Sequence, residues 1–394
     1  MKVLIISHEY PYIGNEIRAT FVNEQVEELA RQGCEVKVIS PVPWTPFPLN
    51  KLSSKWREYS NILREDIFNG VEVYYPRIVT FPRNIFKEWS GKLTYNGIRG
   101  TVRQLVNKGY DFDIIHAHHA FPDGYAGLLL SEEYNRPLVV TVHGQDLYST
   151  IYHNQSCYQQ VKRVLEETTQ VITVSSELKR RAEMEGISTN NVVILGNGVP
   201  DRVLDKSYNH NIDKDPVILS VAGLIERKGI EYNIKAMAAL RRKFPNLTYR
   251  IVGNGPEYQN LINIANELGA CDKISFLGAL SHEAVFNEMA NCQILSLPSW
   301  DEAFGLVYIE AMIQGKPVIA CKGEGIEDVI RHGVNGMLVS PKDVDSLVEA
   351  IDYLISHPDE TNQIGQRARE TVMKNYTWGK IVNRLIKIYE QHVQ

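Results

Sequence analysis

Two glutamates, Glu302 and Glu310, flank a segment with the features of a turn followed by the start of a helix. An apolar run at 293–297 predicts a buried strand before them, and Gly315 with Pro317 predicts the end of a helix of about ten residues. Glu310 is then expected roughly two turns behind the first helical amides, which carry a partial positive charge. Those amides could bind a diphosphate, and the carboxylates could bind hydroxyl groups on either side of it.

Two glutamates eight residues apart are more often solvated surface charges than ligands of a substrate. The neighbours of Glu310 are apolar, however, and include Ile309, Ala311, Met312 and Ile313. A carboxylate beside such a helix face usually has a partner or a ligand. The pattern therefore favours a sugar-nucleotide site over a solvated pair.

Two basic residues, Arg227 and Lys228, occupy a loop between a strand predicted at 217–221 and a helix predicted at 230–243. Cations at a strand end could stabilise the charge that grows on a diphosphate as a glycosidic bond breaks. Basic loop residues are often only solvated, but this position favours a site. Glycines at 253 and 278 also follow strands and permit close backbone approach, although they are equally typical of plain turns.

Histidines stand at the ends of two strands predicted in the first half of the chain. His143 follows the strand at 138–142, and with Asp146 it is a candidate for binding a sugar hydroxyl or an acceptor, although a lone histidine there is more often structural. His116 and His118 are two residues apart near another strand end. Because no third ligand has useful spacing, structure and cleft lining are favoured over a zinc site.

The composition indicates a two-domain protein of the soluble globular class. The chain has 394 residues, of which 44% are hydrophobic and 23% charged, and its net charge of -5 does not suggest nucleic-acid binding. Its five cysteines are widely spaced and include no C-x-x-C pair, so a reducing cytosol is expected. The apolar run at the start is too short for a signal-peptide core, and no run is long enough to span a bilayer.

Strand-like and helix-like segments alternate along most of the chain, which predicts the α/β class with doubly wound parallel sheets. A polar stretch at 201–215 is the predicted linker. The predicted domains are therefore an acceptor-side domain at 1–200 and a nucleotide-sugar domain at 201–376. The predicted strands lie at 3–6, 36–39, 114–117, 138–142, 171–174, 192–195, 217–221, 247–252, 274–277, 294–297, 318–320 and 336–339.

The segment 77–108 combines seven basic residues with one acid and several aromatic residues, among them Phe81, Phe86 and Trp89. Such a mixture is typical of a surface that lies against anionic lipid. It is equally consistent with a solvated helix and a few core aromatics. The first alternative predicts a protein peripheral to the inner face of the cell membrane, and the second predicts a simple cytoplasmic protein.

Taken together, these motifs resemble the retaining glycosyltransferases of family 4 over nearly the whole chain. The most specific match is 302–310, where two glutamates enclose seven residues as in that family. Lys228-Gly229, 197–199, 276–278 and 333–336 with Asp343 also match. The resemblance implies the GT-B fold, in which two Rossmann-like domains face each other across a cleft, with the last helix, at 377–394, crossing back to the first domain.

The resemblance also implies residue roles. Glu310 would hold the nucleotide ribose, Glu302 would lie near the donor sugar, Lys228 would contact the diphosphate, and His143 would lie near the anomeric carbon. The expected catalytic residues are His143, Lys228 and Glu302. The expected donor-binding residues are Gly14, Gly223, Arg227, Lys228, Gly253, Leu280, Glu302, Phe304, Gly305, Leu306, Val307 and Glu310, and the expected acceptor or cleft residues are His116, His118 and Asp146.

Two positions depart from the family pattern. Where many members have Gly-Arg-Leu, this chain has Ala222-Gly223-Leu224, so one phosphate-binding arginine is absent and Arg227 is the candidate replacement. Where Gly-Gly is frequent in the first loop, this chain has Gly14-Asn15. The opening of the chain looks most like members that build bacterial surface polysaccharides or teichuronic-type polymers.

The expected activity is transfer of a hexose-type sugar, with retention, from a UDP-sugar to a glycan or lipid-linked acceptor. No cofactor is expected beyond the nucleotide sugar, which is a substrate. No metal is expected either, because the Asp-x-Asp metal motif of the alternative transferase fold is not found: Asp111-Phe-Asp113 has its letters but precedes a strand. Two alternatives remain: a sugar-nucleotide epimerase of the same fold, and a non-catalytic sugar-nucleotide-binding protein.

Overall fold

A computed structural model describes residues 1–12, 15, 20–81, 85–203 and 215–393. Gly14 and most of the predicted linker lie outside these residues. The chain forms two compact units, the first comprising Met1–Asn197 with Trp378–Gln394 and the second Gly198–Thr377. Within the described residues, no helix has both the length and the apolar composition needed to cross a bilayer.

Unit 1 is built on a sheet with the strand order β10-β9-β8-β7-β1-β2-β5-β4, beside a small pair of β3 and β6. Central strands are buried along their whole length, as expected for parallel strands covered on both faces. The strands are β1 (Lys2–Ile6), β2 (Glu35–Ile39), β3 (Val42–Pro43), β4 (Glu65–Phe68), β5 (Val71–Tyr74), β6 (Arg77–Ile78), β7 (Ile114–His118), β8 (Leu138–Val142), β9 (Gln170–Thr173) and β10 (Val192–Ile194).

The helices of unit 1 flank this sheet. They are α1 (Thr20–Arg31), α2 (Ser54–Asn61), α3 (Ser90–Asn107), α4 (Tyr125–Tyr134), α5 (Gln155–Glu167) and α6 (Ser176–Met184), and α13 (Trp378–Glu390) from the end of the chain joins them. The indole Nε1 of Trp378 donates to Glu24 at 2.8 Å, and Ile381, Val382 and Leu385 are fully buried. Burial of this apolar face attaches α13 to unit 1.

The sheet of unit 1 ends in a hairpin that the strand pattern did not predict. Strands β4 and β5 pair antiparallel, and two residues, Asn69 and Gly70, connect them with φ angles of 49° and 83°. An Asn-Gly pair with positive φ at both residues is typical of a type I′ hairpin turn. This antiparallel pair is an addition at the edge of the predicted doubly wound parallel sheet, and Asn69-Gly70 was its signal in the sequence.

Unit 2 contains one described sheet with the order β13-β12-β11-β14-β15-β16, in which all the pairs are parallel. Its strands are β11 (Val217–Val221), β12 (Thr248–Val252), β13 (Ile274–Gly278), β14 (Ile294–Ser296), β15 (Val318–Cys321) and β16 (Met337–Val339). Its helices are α7 (Ile230–Leu240), α8 (Tyr258–Glu267), α9 (His282–Ala290), α10 (Leu306–Ile313), α11 (Val344–Ser356) and α12 (Pro358–Asn375). The predicted α/β class is confirmed.

Candidate active site

The loops after β11, β12 and β13 of unit 2 are joined by backbone hydrogen bonds. Leu224 N donates to Asn254 O at 2.9 Å, and Gly253 N donates to Gly278 O at 2.8 Å. Because the carboxyl ends of parallel strands meet at one edge of a sheet, these loops form one continuous backbone surface there. This surface carries Gly223, Gly253 and the segment that leads to Leu280.

Gly253 and Gly223 have different surroundings. Gly253 has φ 132°, and a Cβ there would lie 1.8 Å from Ala222 O, so the absence of a side chain allows the two loops to pack. At Gly223 a Cβ would meet only Asn254 O at 4.0 Å, and the residue is exposed. The backbone open to a ligand is therefore at Gly223.

Lys228 and Glu302 form a close ion pair with 2.5 Å between Nζ and Oε2. Their side chains are 17% and 12% exposed, and Ser299 Oγ donates to the same carboxylate at 3.2 Å. A left-handed Gly229, with φ 67°, follows Lys228, and a Cβ there would lie 2.2 Å from Pro298 O. The glycine thus lets the Lys228 loop pack against the segment that leads to Glu302.

Arg227 supports the neighbouring backbone. Its guanidinium donates to Asp301 O at 2.8 Å, while its own carbonyl accepts from Trp300 N at 2.9 Å. A guanidinium has five donors, so this contact leaves others for an anion. The structure thus places Arg227 beside Lys228, as the sequence implied, but gives it a structural contact as well.

Helix α10 begins after Gly305, whose φ is 78°. A Cβ on Gly305 would lie 2.5 Å from the ring of Tyr308, so glycine is required for this entry to the helix. Phe304 is buried against Tyr376 with ring centroids 6.1 Å apart, which leaves its backbone but not its ring for a ligand. The first amides, at Leu306 and Val307, have no partner within the helix.

Glu310 lies about one turn behind the start of α10, because it is the fifth residue of that helix. The expected distance of two turns was therefore wrong, as was the expected length of about ten residues. Glu310 Oε1 is 3.3 Å from Nε2 of His282, the first residue of α9. Leu280 precedes that helix by two residues, so the side chain of Glu310 and the Leu280 loop lie close together. His282 was not predicted.

In unit 1, the structure places His116 in the core. Its Nδ1 is 2.5 Å from Tyr389 Oη and its Nε2 is 2.7 Å from Thr141 Oγ1, and the residue has no exposed surface. Burial lowers the pKa of His116 to about 3, so the ring is neutral. The expected lining role does not fit this environment, because no surface of His116 is left for a ligand.

His118 and His143 stack with ring centroids 5.3 Å apart, and His118 Nδ1 lies 3.0 Å from His143 Nε2. Burial lowers the pKa of each ring well below its usual value, so one neutral ring donates and the other accepts. Within the described residues, His143 Nδ1 has no hydrogen-bond partner. His118 Nε2 is likewise buried without a hydrogen-bond partner among these residues, so each ring of the pair keeps one unpaired nitrogen.

Asp146 and His119 stabilise the turn after β7. Asp146 accepts from Phe121 N at 3.0 Å, and its Oδ2 lies 3.8 Å from His119 Nδ1. Burial lowers the pKa of His119, but the carboxylates of Glu9, Asp146 and Asp123 more than offset this and raise it. Burial raises the pKa of Asp146. Asp146 therefore positions the histidine turn, and His119, with φ 74°, was not predicted to take part.

His8, at the carboxyl end of β1, is a further residue that the sequence patterns did not single out. Asp123 is fully buried and accepts from both the backbone N of His8, at 2.9 Å, and its ring Nδ1, at 2.6 Å. A carboxylate in this position fixes the tautomer of a histidine and leaves Nε2 for another partner. The His8 side chain is 27% exposed. Its position just after a predicted strand was the feature of the sequence that could have identified it.

No set of three or more His, Cys, Asp or Glu side chains among the described residues is arranged to hold a metal ion. The unit 2 surface instead offers Lys228, Arg227 and the first amides of α10 to an anion. These are the groups that bind phosphates without a metal.

Two family models match adjacent parts of the chain. The model described as Glycosyltransferase Family 4 matches residues 19–202, and the model described as Glycosyl transferases group 1 matches residues 203–371. The chain belongs to the family 4 glycosyltransferases. This family 4 glycosyltransferase is 27% identical over 393 residues to the uncharacterized glycosyltransferase MJ1178 of Methanocaldococcus jannaschii, covering 99% of this chain and 98% of the relative.

A further relative and a solved structure extend the comparison. TuaC of Bacillus subtilis, whose name refers to teichuronic acid biosynthesis, is 25% identical, covering 99% of the family 4 chain and 98% of its own. The crystal structure of Anabaena Alr3699/HepE in complex with UDP and glucose has a TM-score of 0.72 at 20% identity, covering 99% and 100% of the two chains. The structural likeness confirms the predicted GT-B fold.

Proposed function

We propose that the chain transfers a hexose from a UDP-sugar, with retention of configuration, to a glycan or lipid-linked acceptor during synthesis of a surface polysaccharide or glycoconjugate. The supporting observation is the Lys228–Glu302 pair, which stands beside the start of α10 on the loop surface of unit 2. A cation and free helical amides at one place suit a diphosphate that gains charge as it leaves. The family membership and the UDP bound to HepE support this choice of donor.

The donor is proposed to bind along the residues that the structure brings together. The diphosphate contacts Lys228, Arg227 and the amides of Leu306 and Val307, and the ribose hydroxyls donate to Glu310. The base lies against the backbone near Leu280, and Gly223 gives the phosphates an open backbone. Glu302 lies near the sugar, where it holds Lys228 in place until the donor arrives.

Glycosyl transfer is proposed to be completed by groups of unit 1. His143 is proposed as a catalytic group, as the family resemblance implies, and His8 Nε2 is proposed as a polar atom for an acceptor hydroxyl. The acceptor oxygen bonds to the anomeric carbon on the face that the diphosphate leaves, and its proton passes to the departing phosphate oxygen. No metal takes part, because Lys228, Arg227 and helical amides supply the positive charge.

We also propose that the 77–108 segment contacts the inner face of the cell membrane. Phe81, Phe86 and Trp89 contact one another, and their side chains are 39%, 45% and 52% exposed. An exposed aromatic cluster of this kind is typical of interfacial anchoring. Arg83 lies outside the described residues, and Arg77 donates to backbone carbonyls. The basic residues proposed to contact anionic lipid beside the aromatic cluster are therefore Lys87 and Lys92.

The experiment that tests this function combines a panel of nucleotide sugars with two site variants, assayed with and without EDTA. Glu310→Ala is expected to weaken UDP binding about tenfold, because it removes the carboxylate that accepts from the ribose. Lys228→Ala is expected to lower the transfer rate by about 100-fold, because it removes charge from the leaving group. Lys243→Ala is the control, since Lys243 pairs with Asp352 on an exposed surface.

Unchanged activity in both site variants would contradict the assignment. Loss of transfer with EDTA, restored by a divalent ion, would contradict the metal-independent mechanism. An inverted product configuration, read by NMR of the new glycosidic bond, would contradict retention.

A further inference from the structure

Three basic side chains line one groove on unit 1, and none of the lining residues is a histidine. Arg64 precedes β4, Arg77 begins β6 and Lys108 follows α3, and the cavity between them has a volume of about 420 Å³. That volume lies within the range of roughly 300 to 1,000 Å³ that is usual for small-molecule sites. We call the space between Arg64, Arg77 and Lys108 the arginine groove.

Acidic residues balance the charges of the arginine groove only in part, since the charge of Lys108 contributes to lowering the pKa of Glu72 but forms no salt bridge with it. Arg77 is half-buried and donates to the carbonyl oxygens of Ile62 and Tyr75, not to a carboxylate. In the part of the chain that the structure describes, Arg64 and Lys108 form no salt bridge. Glu65 is the one acidic residue among those that line the groove. Burial, together with the like charge of Arg64, lowers the pKa of Arg77, as expected where a cation lacks a counterion.

The groove continues into a second cavity that suits a sugar ring. This cavity, of about 470 Å³, shares Arg64 and Arg77 and adds Trp44 and Leu63, whose side chains are 57% and 55% exposed. An exposed indole offers a flat apolar face on which a sugar ring can pack while its hydroxyls stay in water. Cations beside such a face suit a sugar that carries an anionic group.

The arginine groove is connected to the strand end that carries His8. Tyr75 follows β5 and lines the groove, and its hydroxyl donates to Pro11 O at 2.9 Å. Pro11 follows β1 and His8 in the chain, and β1, β2 and β5 are adjacent strands. Two strand spacings, about 10 Å, therefore separate β1 from β5. The groove and His8 therefore lie at the same edge of the sheet, because β1, β2 and β5 are parallel and both places follow the carboxyl ends of their strands.

We propose that the arginine groove binds the phosphate or carboxylate group of an anionic glycan, as a subsite for the acceptor. The anion pairs with Arg64, Arg77 and Lys108, and the sugar ring next to it packs on Trp44. Arginine and phosphate or carboxylate groups form paired, charge-assisted hydrogen bonds. As an acceptor subsite it rests on the proposed function, but binding itself is measured without any transfer.

Helix α3 provides a variant that fills the groove without disturbing the fold. Gly97 and Gly100 both lie on this helix and line the groove. A Cβ at Gly97 would lie 2.4 Å from Ile78 Cγ2, whereas at Gly100 there is no atom within 4 Å. Gly100→Leu therefore places a side chain in open space. Asn96→Leu is its control, because Asn96 is exposed on the same helix and does not line the groove.

The experiment titrates glucuronate and inorganic phosphate into the full chain, with UDP in excess to occupy the donor site. Both probes are expected to bind wild type. The Arg64→Gln/Lys108→Gln variant and Gly100→Leu are each expected to raise the dissociation constant about tenfold or more. Lys380→Gln/Lys387→Gln, which removes two charges at exposed positions of α13 in the same unit, and Asn96→Leu are expected to leave it unchanged.

Three outcomes would overturn the proposal: no binding of either probe to wild type, unchanged binding in both groove variants, or equal losses in the two controls. If neither probe binds but anionic phospholipid vesicles do, and Gly100→Leu abolishes that binding, the occupant is a lipid head group and the glycan assignment is wrong. Binding at the groove in a chain that transfers no sugar would refute the proposed function and leave the groove as an anion site.

Discussion

Gly253 and Gly100 show how one residue type serves opposite purposes in this chain. At Gly253, φ is 132° and Ala222 O occupies the place of a Cβ, whereas Gly100 is helical and open. Gly253→Ala is expected to lower the free energy of unfolding by more than about 2 kcal/mol, because both backbone strain and a clash oppose the side chain. Gly100→Ala, the control, is expected to raise it by about 0.5–1 kcal/mol.

Urea denaturation of both alanine variants checks this prediction. Gly253→Ala is also expected to weaken UDP binding, because the loop after β12 supports Gly223 through Leu224 and Asn254. Similar stabilities for the two variants would show that the loops of unit 2 adjust without cost.

The ion pair of Lys228 and Glu302 also contributes to the stability of unit 2. Its side chains are mostly buried, so removing one partner leaves an uncompensated charge in a poorly solvated place. Glu302→Gln and Lys228→Met are each expected to lower the free energy of unfolding by about 1–3 kcal/mol. The double variant is expected to lose less than the sum of the two, because no lone charge remains. Additive losses in the double-mutant cycle would mean that the two groups do not interact in solution.

At the scale of elements, the turn before α3 carries the exposed aromatic cluster of Phe81, Phe86 and Trp89. Wild type is expected to sediment with vesicles that contain anionic phospholipid, less so at high salt, and not with neutral vesicles. The variant Phe86→Ser/Trp89→Ser is expected to sediment several-fold less, because the stacked pair supplies apolar area.

Met184→Ser is the control for vesicle binding. Met184 is 77% exposed and ends α6, so its loss removes a surface apolar side chain elsewhere on unit 1. Equal sedimentation of the aromatic variant and wild type would favour the simple cytoplasmic alternative.

The sequence patterns predicted some strands more accurately than others. The strands at 138–142 and 217–221 were predicted to the residue, because apolar runs bounded by polar loops define buried parallel strands well. The edge hairpin of β4 and β5 was missed, because its strands are half-exposed and their side chains do not form an apolar run. Edge strands have a weaker hydrophobic pattern than central ones.

At the scale of the whole molecule, the buried histidines predict how stability depends on pH. Burial lowers the pKa values of His116, His118 and His143, whereas unfolded histidines titrate near about 6.5. Their contribution is complete above about pH 6.5 and is lost as the pH falls, because the unfolded chain then binds protons that the native chain excludes. His119 and Asp146, whose pKa values are raised, have the opposite sign, so three groups oppose two.

The free energy of unfolding is therefore expected to fall between about pH 6.5 and pH 5.5, by about 1 kcal/mol for each of the three histidines before the opposing terms. Urea denaturation across this range measures the slope. His116→Gln is expected to reduce the fall in the free energy of unfolding over this pH range by about 1 kcal/mol, the contribution of one histidine. This reduction is expected whatever the effect of the substitution on stability at neutral pH. A slope that is flat in wild type, or unchanged in the variant, would contradict the neutral state of the cluster.

The sequence by itself determined the α/β class and brought Lys228, Glu302 and Glu310 to notice, because apolar periodicity and loop position are local properties. Only the tertiary structure decided which side chains meet. The pairs Lys228–Glu302, His8–Asp123 and His116–Tyr389 are 74, 115 and 273 residues apart in the chain. Such contacts depend on the order of strands in the sheets and on the return of α13 to unit 1, and no local pattern records either. The sequence showed that Glu310 stands among apolar residues of a helix, but its distance from the start of α10 and its contact with His282 followed from the fold.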